Sequence, residues 1–207
     1  MTDPRAQVVG EGYDAIGERF DEWRRQIVGD PRERWLEELT SRLFEGARVL
    51  ELGCGSGLAE TQLLAKRFRV TGVDVSATQI RRARVNLPEA RFVHADFTSL
   101  ELPSASFEAV ASFYSFNHVP RELLPTIFER IHGWLRPAGF FLVSLGAEDL
   151  PEWTGDFLGA PMFFSGYPPE RNRELLEEAG FERLLDEVVT FQEPEREATF
   201  HWVLAQR

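Results

Sequence analysis

The chain has 207 residues, 43% hydrophobic and 28% charged, which suits one α/β domain with a buried core. Its net charge of −11 argues against a general nucleic-acid binder, and no long apolar run predicts a membrane span. The single cysteine, Cys54, excludes an internal disulfide and a cysteine metal cluster. The first residues lack the basic and apolar stretches of a secretory signal, which predicts a soluble cytoplasmic protein.

Helical and strand patterns alternate along the chain, which predicts a mostly parallel sheet covered by helices. Apolar spacing predicts a helix over residues 11–28, and Asp30-Pro31 predicts the start of a second helix that ends near Phe44. Residues 147–168 have no clean period and are expected to be irregular. A further helix is predicted to start near Leu58, and three more are predicted over residues 77–86, 121–135 and 169–179. The predicted strands are 47–52, 68–73, 90–95, 107–113, 140–145, 181–191 and 198–205.

The most informative motif is the glycine loop Glu51-Leu52-Gly53-Cys54-Gly55-Ser56-Gly57-Leu58, between the first predicted strand and the next helix. Glycines there let the backbone turn sharply and approach a ligand at the strand end, where α/β sheets bind ligands. A dinucleotide fingerprint needs glycine or alanine where Leu58 stands. Glu51 disfavours a pyrophosphate and favours a ligand with a positive charge.

Through Glu51, Gly53, Gly55 and Gly57, the loop resembles that of the class I S-adenosylmethionine-dependent methyltransferases. The downstream landmarks are Asp74, Asp96-Phe97, the segment 107–118, and Leu135-Arg136-Pro137-Ala138-Gly139, which looks like the family's L-x-P-G-G turn with Ala138 in place of a glycine. The resemblance covers about residues 47–146. It implies a Rossmann-like fold with a mostly parallel seven-stranded sheet, helices on both faces and a late antiparallel strand.

The resemblance also implies S-adenosylmethionine as the cofactor and S-adenosylhomocysteine as its product. In the family, an acid at the position of Asp74 accepts hydrogen bonds from the ribose hydroxyls. An acid at the position of Asp96 binds the adenine amino group, and its neighbour, here Phe97, packs on the ring. Strand-end capping is the alternative for Asp74, and helix capping for Asp96. The predicted cofactor residues are Tyr13, Glu51, Gly53, Cys54, Gly55, Gly57, Asp74, Val75, Asp96, Phe97 and Phe113.

Methyl transfer from a sulfonium needs a base only if the nucleophile arrives protonated, because positioning can supply much of the rate. His118, in the loop after the fourth strand, is the predicted catalytic base. The alternative is a structural histidine at the start of the following helix. No metal is predicted, because no His/Cys set has ligand spacing. The sequence Ser112-Phe113-Tyr114-Ser115 lacks the Asn/Asp-Pro-Pro-Tyr/Phe typical of enzymes that methylate base amines in DNA.

The chain is predicted to be a single methyltransferase domain whose two ends enclose the methyl acceptor. Residues 1–46 are the helical cap, 47–146 the cofactor-binding core, 147–168 a substrate lid, and 169–207 a carboxy-terminal helix and strands. For 147–168, the alternative is a loop that covers the sheet edge. An aromatic pocket lining and the net negative charge of the chain are compatible with a cationic or amine acceptor. The predicted acceptor contacts are Tyr114, Trp153, Met162, Phe163 and Tyr167.

The sequence therefore predicts SN2 methyl transfer to an O or N atom of a small molecule, by a monomer or homodimer without nucleic-acid or membrane partners. Methylation of a protein or RNA is the nearest alternative, and it predicts a basic or extended acceptor surface. A non-catalytic S-adenosylmethionine-binding regulator or partner subunit is another, and it predicts a blocked acceptor pocket. A nucleotide-binding oxidoreductase is disfavoured by Glu51 and Leu58.

Overall fold

The computed structural model describes residues 3–207 and contains nine strands and seven α-helices in that range. The strands are β1 Arg48–Leu52, β2 Arg69–Asp74, β3 Arg91–His94, β4 Phe107–Ser112, β5 Leu135–Gly146, β6 Leu150–Phe157, β7 Ala160–Gly166, β8 Glu182–Gln192 and β9 Glu197–Gln206. The helices are α1 Pro4–Ile16, α2 Arg19–Arg24, α3 Arg32–Thr40, α4 Glu60–Ala65, α5 Ala77–Asn86, α6 Leu124–Trp134 and α7 Pro169–Glu178.

Seven strands form one sheet in the order β3-β2-β1-β4-β5-β9-β8. Strands β1 to β5 pair in parallel, whereas β9 runs antiparallel to both β5 and β8. The chain order reverses at β1, which lies between β2 and β4, and such a point is where open α/β sheets bind ligands. The predicted fold class is confirmed.

Helices cover both faces of this sheet, so its central strands are buried on two sides. Neighbouring residues of a strand point to opposite faces. On β5, Phe141 packs in the cluster under α6 and α7, whereas Leu142 packs in the cluster under α3 and α4. In the second cluster, Trp35 of α3 stacks on Trp202 of β9, with ring centroids 5.7 Å apart. Strands buried on both faces are typically continuous apolar runs, which is the pattern of residues 47–52 and 140–145.

The single helix predicted over residues 11–28 is wrong. The side chain of Asp3 caps α1, the chain turns after Ile16, and α2 is a separate short helix. Val28 then pairs with Gln192 of β8 as an isolated bridge. The apolar spacing continued across the turn because both helices bury aromatic side chains over the same part of the sheet. The next helix, α3, ends at Thr40, four residues before the predicted Phe44.

Residues 147–168, expected to be irregular, form the hairpin of β6 and β7. The alternation that marks a strand is lost for two reasons. A register shift lies between Leu150 and Trp153 on β6, and β7 contacts α1 as well as the short turn at Phe116–His118 and β5. Covered from two sides, β7 is apolar at successive positions. In the described range 3–207, no helix has the length and apolar character needed to cross a membrane.

Candidate functional site

A cavity lies at the carboxyl edge of the sheet, between the strand ends, α1 and α2, the β6–β7 hairpin and the turn that joins β8 to β9. It holds about 1390 Å³ of empty space, part of which is open to solvent. Because part of this space is open to solvent, the cavity is a cleft that a ligand can enter from outside.

The glycine loop forms one wall of the cavity and is anchored to β2 by its own backbone. The amides of Gly53 and Cys54 both donate to the carbonyl oxygen of Val73, at 2.8 and 3.1 Å. Gly53 and Gly55 have φ values of +77° and +53°, the left-handed region that favours glycine. A Cβ on Gly53 would overlap the side chain of Ser115, whereas a Cβ on Gly55 would meet no described atom within 4 Å. The loop thus presents bare backbone to the cavity.

Asp74, at the end of β2, holds the loop from the other side. Its Oδ2 accepts a hydrogen bond from the Gly55 amide and its Oδ1 one from the Ser76 amide, each at 2.8 Å. Burial raises the pKa of Asp74, although the two backbone donors act in the opposite direction. Each carboxylate oxygen can accept a second hydrogen bond, so the side chain can still bind hydroxyl groups in the cavity that it lines.

Asp96 follows β3 and uses its two oxygens differently. Oδ1 caps the short turn at Phe97–Ser99 by accepting from the Thr98 amide and hydroxyl, at 2.9 and 2.7 Å. Oδ2 is buried and has no hydrogen-bond partner among residues 3–207. The ring of Phe97 lines the cavity beside it. The capping expected as an alternative is present, and it leaves one oxygen free for a ligand.

Glu51 is the most deeply buried acid of the cavity, with 3% of its surface exposed. Burial raises the pKa of its carboxyl group to about 8. Its Oε2 also lacks a hydrogen-bond partner in the described chain. An unpaired buried polar atom costs about 1–3 kcal/mol, so donors on a ligand would stabilise both this oxygen and that of Asp96.

His118 and Tyr13 meet at the boundary between the cap and the sheet. Nδ1 of His118 lies 2.8 Å from the carbonyl oxygen of Phe163 and must donate to it, because a carbonyl can only accept. Nε2 then accepts the hydroxyl proton of Tyr13 at 3.0 Å. Burial lowers the pKa of His118 to about 4 and, with smaller effects of the Asp74 and Glu193 charges, raises that of Tyr13. Both groups are neutral at pH 7.

The remaining walls of the cavity are aromatic. Tyr114 stands in the left-handed region, with φ of +55°, and its hydroxyl donates to Asp30 at 2.7 Å while its amide donates to Ser144 Oγ at 2.6 Å. The Arg32 guanidinium lies over its ring, 4.9 Å from the centroid. These contacts fix a strained residue at the cavity wall. Further aromatic side chains in the lining are Phe20, Trp23, Phe157, Phe164, Phe191 and Phe200.

The structure brings most of the predicted site residues to this one cavity. Those that line it are Tyr13, Glu51, Gly53, Cys54, Gly55, Asp74, Val75, Asp96, Phe97, Phe113, Tyr114 and His118. Gly57 does not line it. A Cβ there would stand 3.1 Å from the Ala83 Cα, so this glycine lets the loop pack against α5.

The four acceptor contacts predicted in the 147–168 segment also lie outside the cavity lining. Trp153 is 46% exposed, and Met162 and Phe163 are buried in a small core with α1. Tyr167 packs against the core cluster under α6 and α7, and the Arg121 guanidinium lies over its ring. The prediction assumed that large apolar residues in an irregular segment face a pocket, but β7 is covered by α1 and by the turn at Phe116–His118, so its apolar side chains are buried there.

Other lining residues were missed by the sequence analysis. They include Asp21, Arg24, Arg32, Glu60, Phe191, Glu193, Arg196 and Phe200. Phe191 and Phe200 stack with centroids 5.9 Å apart across the β8–β9 turn. Their positions on either side of a charged turn were the available signal, but nothing local indicates that this turn reaches the glycine loop.

Residues 49–139 match the family described as "Methyltransferase domain". This part of the chain is a methyltransferase domain. The family predicted from the glycine loop and the strand-end acids is thereby confirmed. In the described residues, no group of three or more His, Cys, Asp or Glu is arranged to hold a metal ion.

Curated relatives carry the same domain. The chain is 47% identical over 126 residues to a trans-aconitate 2-methyltransferase of Paracidovorax citrulli, a match that covers 56% of this chain and 46% of that protein. It is 32% identical over 141 residues to 27-O-demethylrifamycin SV methyltransferase of Amycolatopsis mediterranei, covering 58% and 52%. The chain spans about half the length of these curated relatives.

Solved structures share the fold over almost the whole chain. The 1,6-didemethyltoxoflavin-N1-methyltransferase of Burkholderia thailandensis, with bound 1,6-didemethyltoxoflavin and S-adenosylhomocysteine, superposes with a TM-score of 0.74 at 21% identity, covering 100% of this chain and 91% of that one. The [4+2]-cyclase SpnF superposes with a TM-score of 0.72 at 20% identity, covering 98% and 96%. At this identity the likeness establishes the fold alone. The residues that match the methyltransferase family comprise nearly all of β1, strands β2 to β4 and the start of β5, whereas α1, α2 and the β8–β9 turn, which also line the cavity, lie outside the match.

Proposed function

We propose that the protein transfers the methyl group of S-adenosylmethionine to an O or N atom of a small molecule. The observation that carries the proposal is the pair of buried, unpartnered carboxylate oxygens of Glu51 and Asp96 in one cavity, on either side of the glycine loop and Asp74. Aromatic side chains of α2, the β6–β7 hairpin and the β8–β9 turn line the same cavity and offer a surface for an acceptor. Relatives whose names specify aconitate and a rifamycin support a small-molecule acceptor.

The residues present fit S-adenosylmethionine group by group. Asp74 would accept hydrogen bonds from the ribose hydroxyls. Glu51, whose raised pKa would fall beside a cation, would offset the positive charge of the methionine part. Asp96 Oδ2 would accept from the adenine amino group, and Phe97 would pack on the ring. When bound, the cofactor supplies a methyl group on a sulfonium, whose loss leaves a neutral thioether. The chain's own task is to orient the acceptor and exclude water, which can supply roughly 7–11 kcal/mol of the barrier.

Proton removal is assigned to His118 acting through Tyr13. Because Nδ1 is committed to the Phe163 carbonyl, only Nε2 of His118 can accept a proton. Tyr13 occupies that nitrogen, so a proton from the acceptor would pass to the Tyr13 oxygen as the Tyr13 proton passes to Nε2. Tyr13 ends as a neutral phenol, which suits a group whose pKa burial has raised.

Calorimetric titration tests the cofactor assignment directly. We expect micromolar binding of S-adenosylmethionine and S-adenosylhomocysteine and no binding of NAD. A screen of small hydroxyl and amine compounds for S-adenosylhomocysteine formation then tests transfer. If the folded protein does not bind the methyl donor, the proposed function is wrong. Binding without turnover on any acceptor would support the non-catalytic regulator instead.

Two substitutions of His118 separate a base from a structural residue. In H118N the side-chain amide can still donate to the Phe163 carbonyl but offers nothing at the place of Nε2, whereas H118A removes both contacts. We expect both variants to lower kcat by roughly 10²–10⁴-fold with unchanged S-adenosylhomocysteine affinity. If H118N has the turnover of the wild type, His118 is structural.

The low pKa of His118 also predicts the pH profile of the reaction. A free imidazole loses its ability to accept a proton below its usual pKa of 6.5, whereas that of His118 titrates near 4. At saturating cofactor, kcat should therefore stay level between about pH 5 and 8. A fall of kcat around pH 6.5 would contradict the assignment of the buried imidazole as the acceptor of the proton.

A further inference from the structure

The acceptor end of the cavity contains a buried carboxylate that the proposed transfer does not use. Glu193, in the turn between β8 and β9, lines the cavity with 8% of its surface exposed. Its Oε2 accepts from Arg196 Nε at 3.2 Å, and its Oε1 accepts no hydrogen bond from residues 3–207. Tyr13 lines the same cavity, so Glu193 is available to a molecule that binds there.

The charges around it make the cavity unsuited to an anionic acceptor. Six acidic side chains line the cavity against three arginines. Each of these arginines is already paired: Arg24 with Glu60 at 3.0 Å, Arg32 with Asp30 at 2.6 Å, and Arg196 with Glu193. An anionic acceptor would therefore lie beside the carboxylates that these arginines already hold, in a cavity where acids outnumber arginines.

The surrounding surface is built for a flat, largely apolar molecule. Trp23 contacts Phe20 and Phe157 at centroid distances of 5.9 and 5.3 Å, on the cap side. Phe191 and Phe200 stand on the β8–β9 side, next to Glu193 in sequence and in the same cavity. Trp23 Nε1 donates to Glu195 Oε2 at 3.2 Å, which joins the cap to the turn. Aromatic walls with one carboxylate favour a ring system that carries a donor or cationic nitrogen.

We propose that Glu193 determines acceptor specificity, and that the acceptor is an aromatic or similarly flat small molecule presenting an N–H donor or a cationic nitrogen to this carboxylate. The inference rests on the proposed function and names the substrate class of the same cavity. It separates this protein from an enzyme whose acceptor is a free carboxylic acid, because each arginine of the cavity already has a carboxylate partner.

Two probes of the same size test the proposal on the protein saturated with S-adenosylhomocysteine. 2-Aminoquinoline presents a ring nitrogen and an amino group, and 2-naphthoate presents a carboxylate on a ring system of the same shape. By calorimetric titration we expect 2-aminoquinoline to bind at least roughly tenfold more tightly, since a hydrogen bond to a charged group has about that effect. If neither probe binds, or if 2-naphthoate binds more tightly, the proposal is wrong.

Variants of the β8–β9 turn identify the residue responsible. E193Q should lower 2-aminoquinoline affinity by about tenfold or more and reduce the preference over 2-naphthoate. E197Q, at the exposed first residue of β9, is the matched control and should behave as the wild type. R196Q frees Glu193 and should strengthen 2-aminoquinoline binding, a gain that misfolding cannot mimic. Unchanged affinity in E193Q would overturn the assignment.

The same titrations keep this proposal distinct from the proposed function. Each variant is first titrated with S-adenosylhomocysteine, whose affinity should stay within about twofold of the wild type because Glu193 lies beyond the glycine loop and the strand-end acids. If the wild-type protein does not bind S-adenosylhomocysteine, the proposed function is wrong. If it binds S-adenosylhomocysteine but prefers 2-naphthoate, only the proposed specificity role of Glu193 is wrong.

Discussion

Substitution of Asp74 by alanine should weaken S-adenosylmethionine binding by about 2–4 kcal/mol, or roughly 30- to 1,000-fold in Kd. Two effects combine. The variant loses the carboxylate that would bind the ribose hydroxyls, and it leaves the Gly55 and Ser76 amides without their acceptor. The glycine loop would therefore lose its support from β2 together with a ligand contact. Calorimetric titration with S-adenosylhomocysteine measures the loss.

D74N divides the two effects of that substitution. Its amide oxygen can still accept from one of the two backbone N–H groups, but the charge is gone, so we expect an affinity between those of D74A and the wild type. E101Q, an exposed carboxylate in the loop before β4, is the control for the change in net charge. Affinity in D74A within about threefold of the wild type would exclude Asp74 from the cofactor site.

Replacement of Gly53 by alanine should destabilise the fold by about 2–5 kcal/mol and abolish cofactor binding with it. Part of the cost is the left-handed backbone, which opposes any Cβ. The rest is steric, because the new methyl group would lie 2.5 Å from the Ser115 Cβ, on the turn after β4. The free energy of unfolding in urea, followed by tryptophan fluorescence, measures the change.

Gly55 supplies the matched comparison, since it has a similar backbone conformation without a neighbour. G55A should cost only about 1–2 kcal/mol, the conformational part alone. In the double variant G53A/S115G the clash is removed, and about 1–3 kcal/mol of the stability should return. If G53A is no less stable than G55A, the contact between the glycine loop and the turn after β4 does not constrain position 53.

The sheet could be predicted from the sequence because each central strand has a signal in its own residues. Residues 47–52 and 140–145 are short apolar runs, and Glu51, Asp74 and Asp96 lie at or near the ends of β1, β2 and β3. The helical cap and the hairpin were harder to predict. The turn after Ile16 leaves the apolar spacing of the helices unbroken, whereas the burial of β7 on two sides removes the alternation of a strand, so neither feature has a local signal.

The residues of the candidate site also fall into those that the sequence could locate and those that it could not. Glu51, Asp74 and Asp96 were predictable because parallel strands bring their ends to one edge, so a position along the chain translates into a position in space. Trp153 and Met162 were misplaced because a side chain's direction in a hairpin depends on a register that the sequence does not reveal. Glu193 was overlooked because its distance from the glycine loop along the chain gives no hint of their proximity.

The contact between α1 and β7 has a consequence for how such proteins diversify. Gly12 lets the two backbones touch, since a Cβ there would lie 2.6 Å from the Pro161 carbonyl oxygen, and the small core they share is separate from both cores of the sheet. A cluster of this kind can open as its own cooperative unit, with faster amide exchange than β1 or β4. The two segments are also bound to evolve as a pair. A chimera that exchanges only one of the two segments places Gly12 against the backbone of another protein. A chimera that exchanges both segments keeps the contact between α1 and β7 intact.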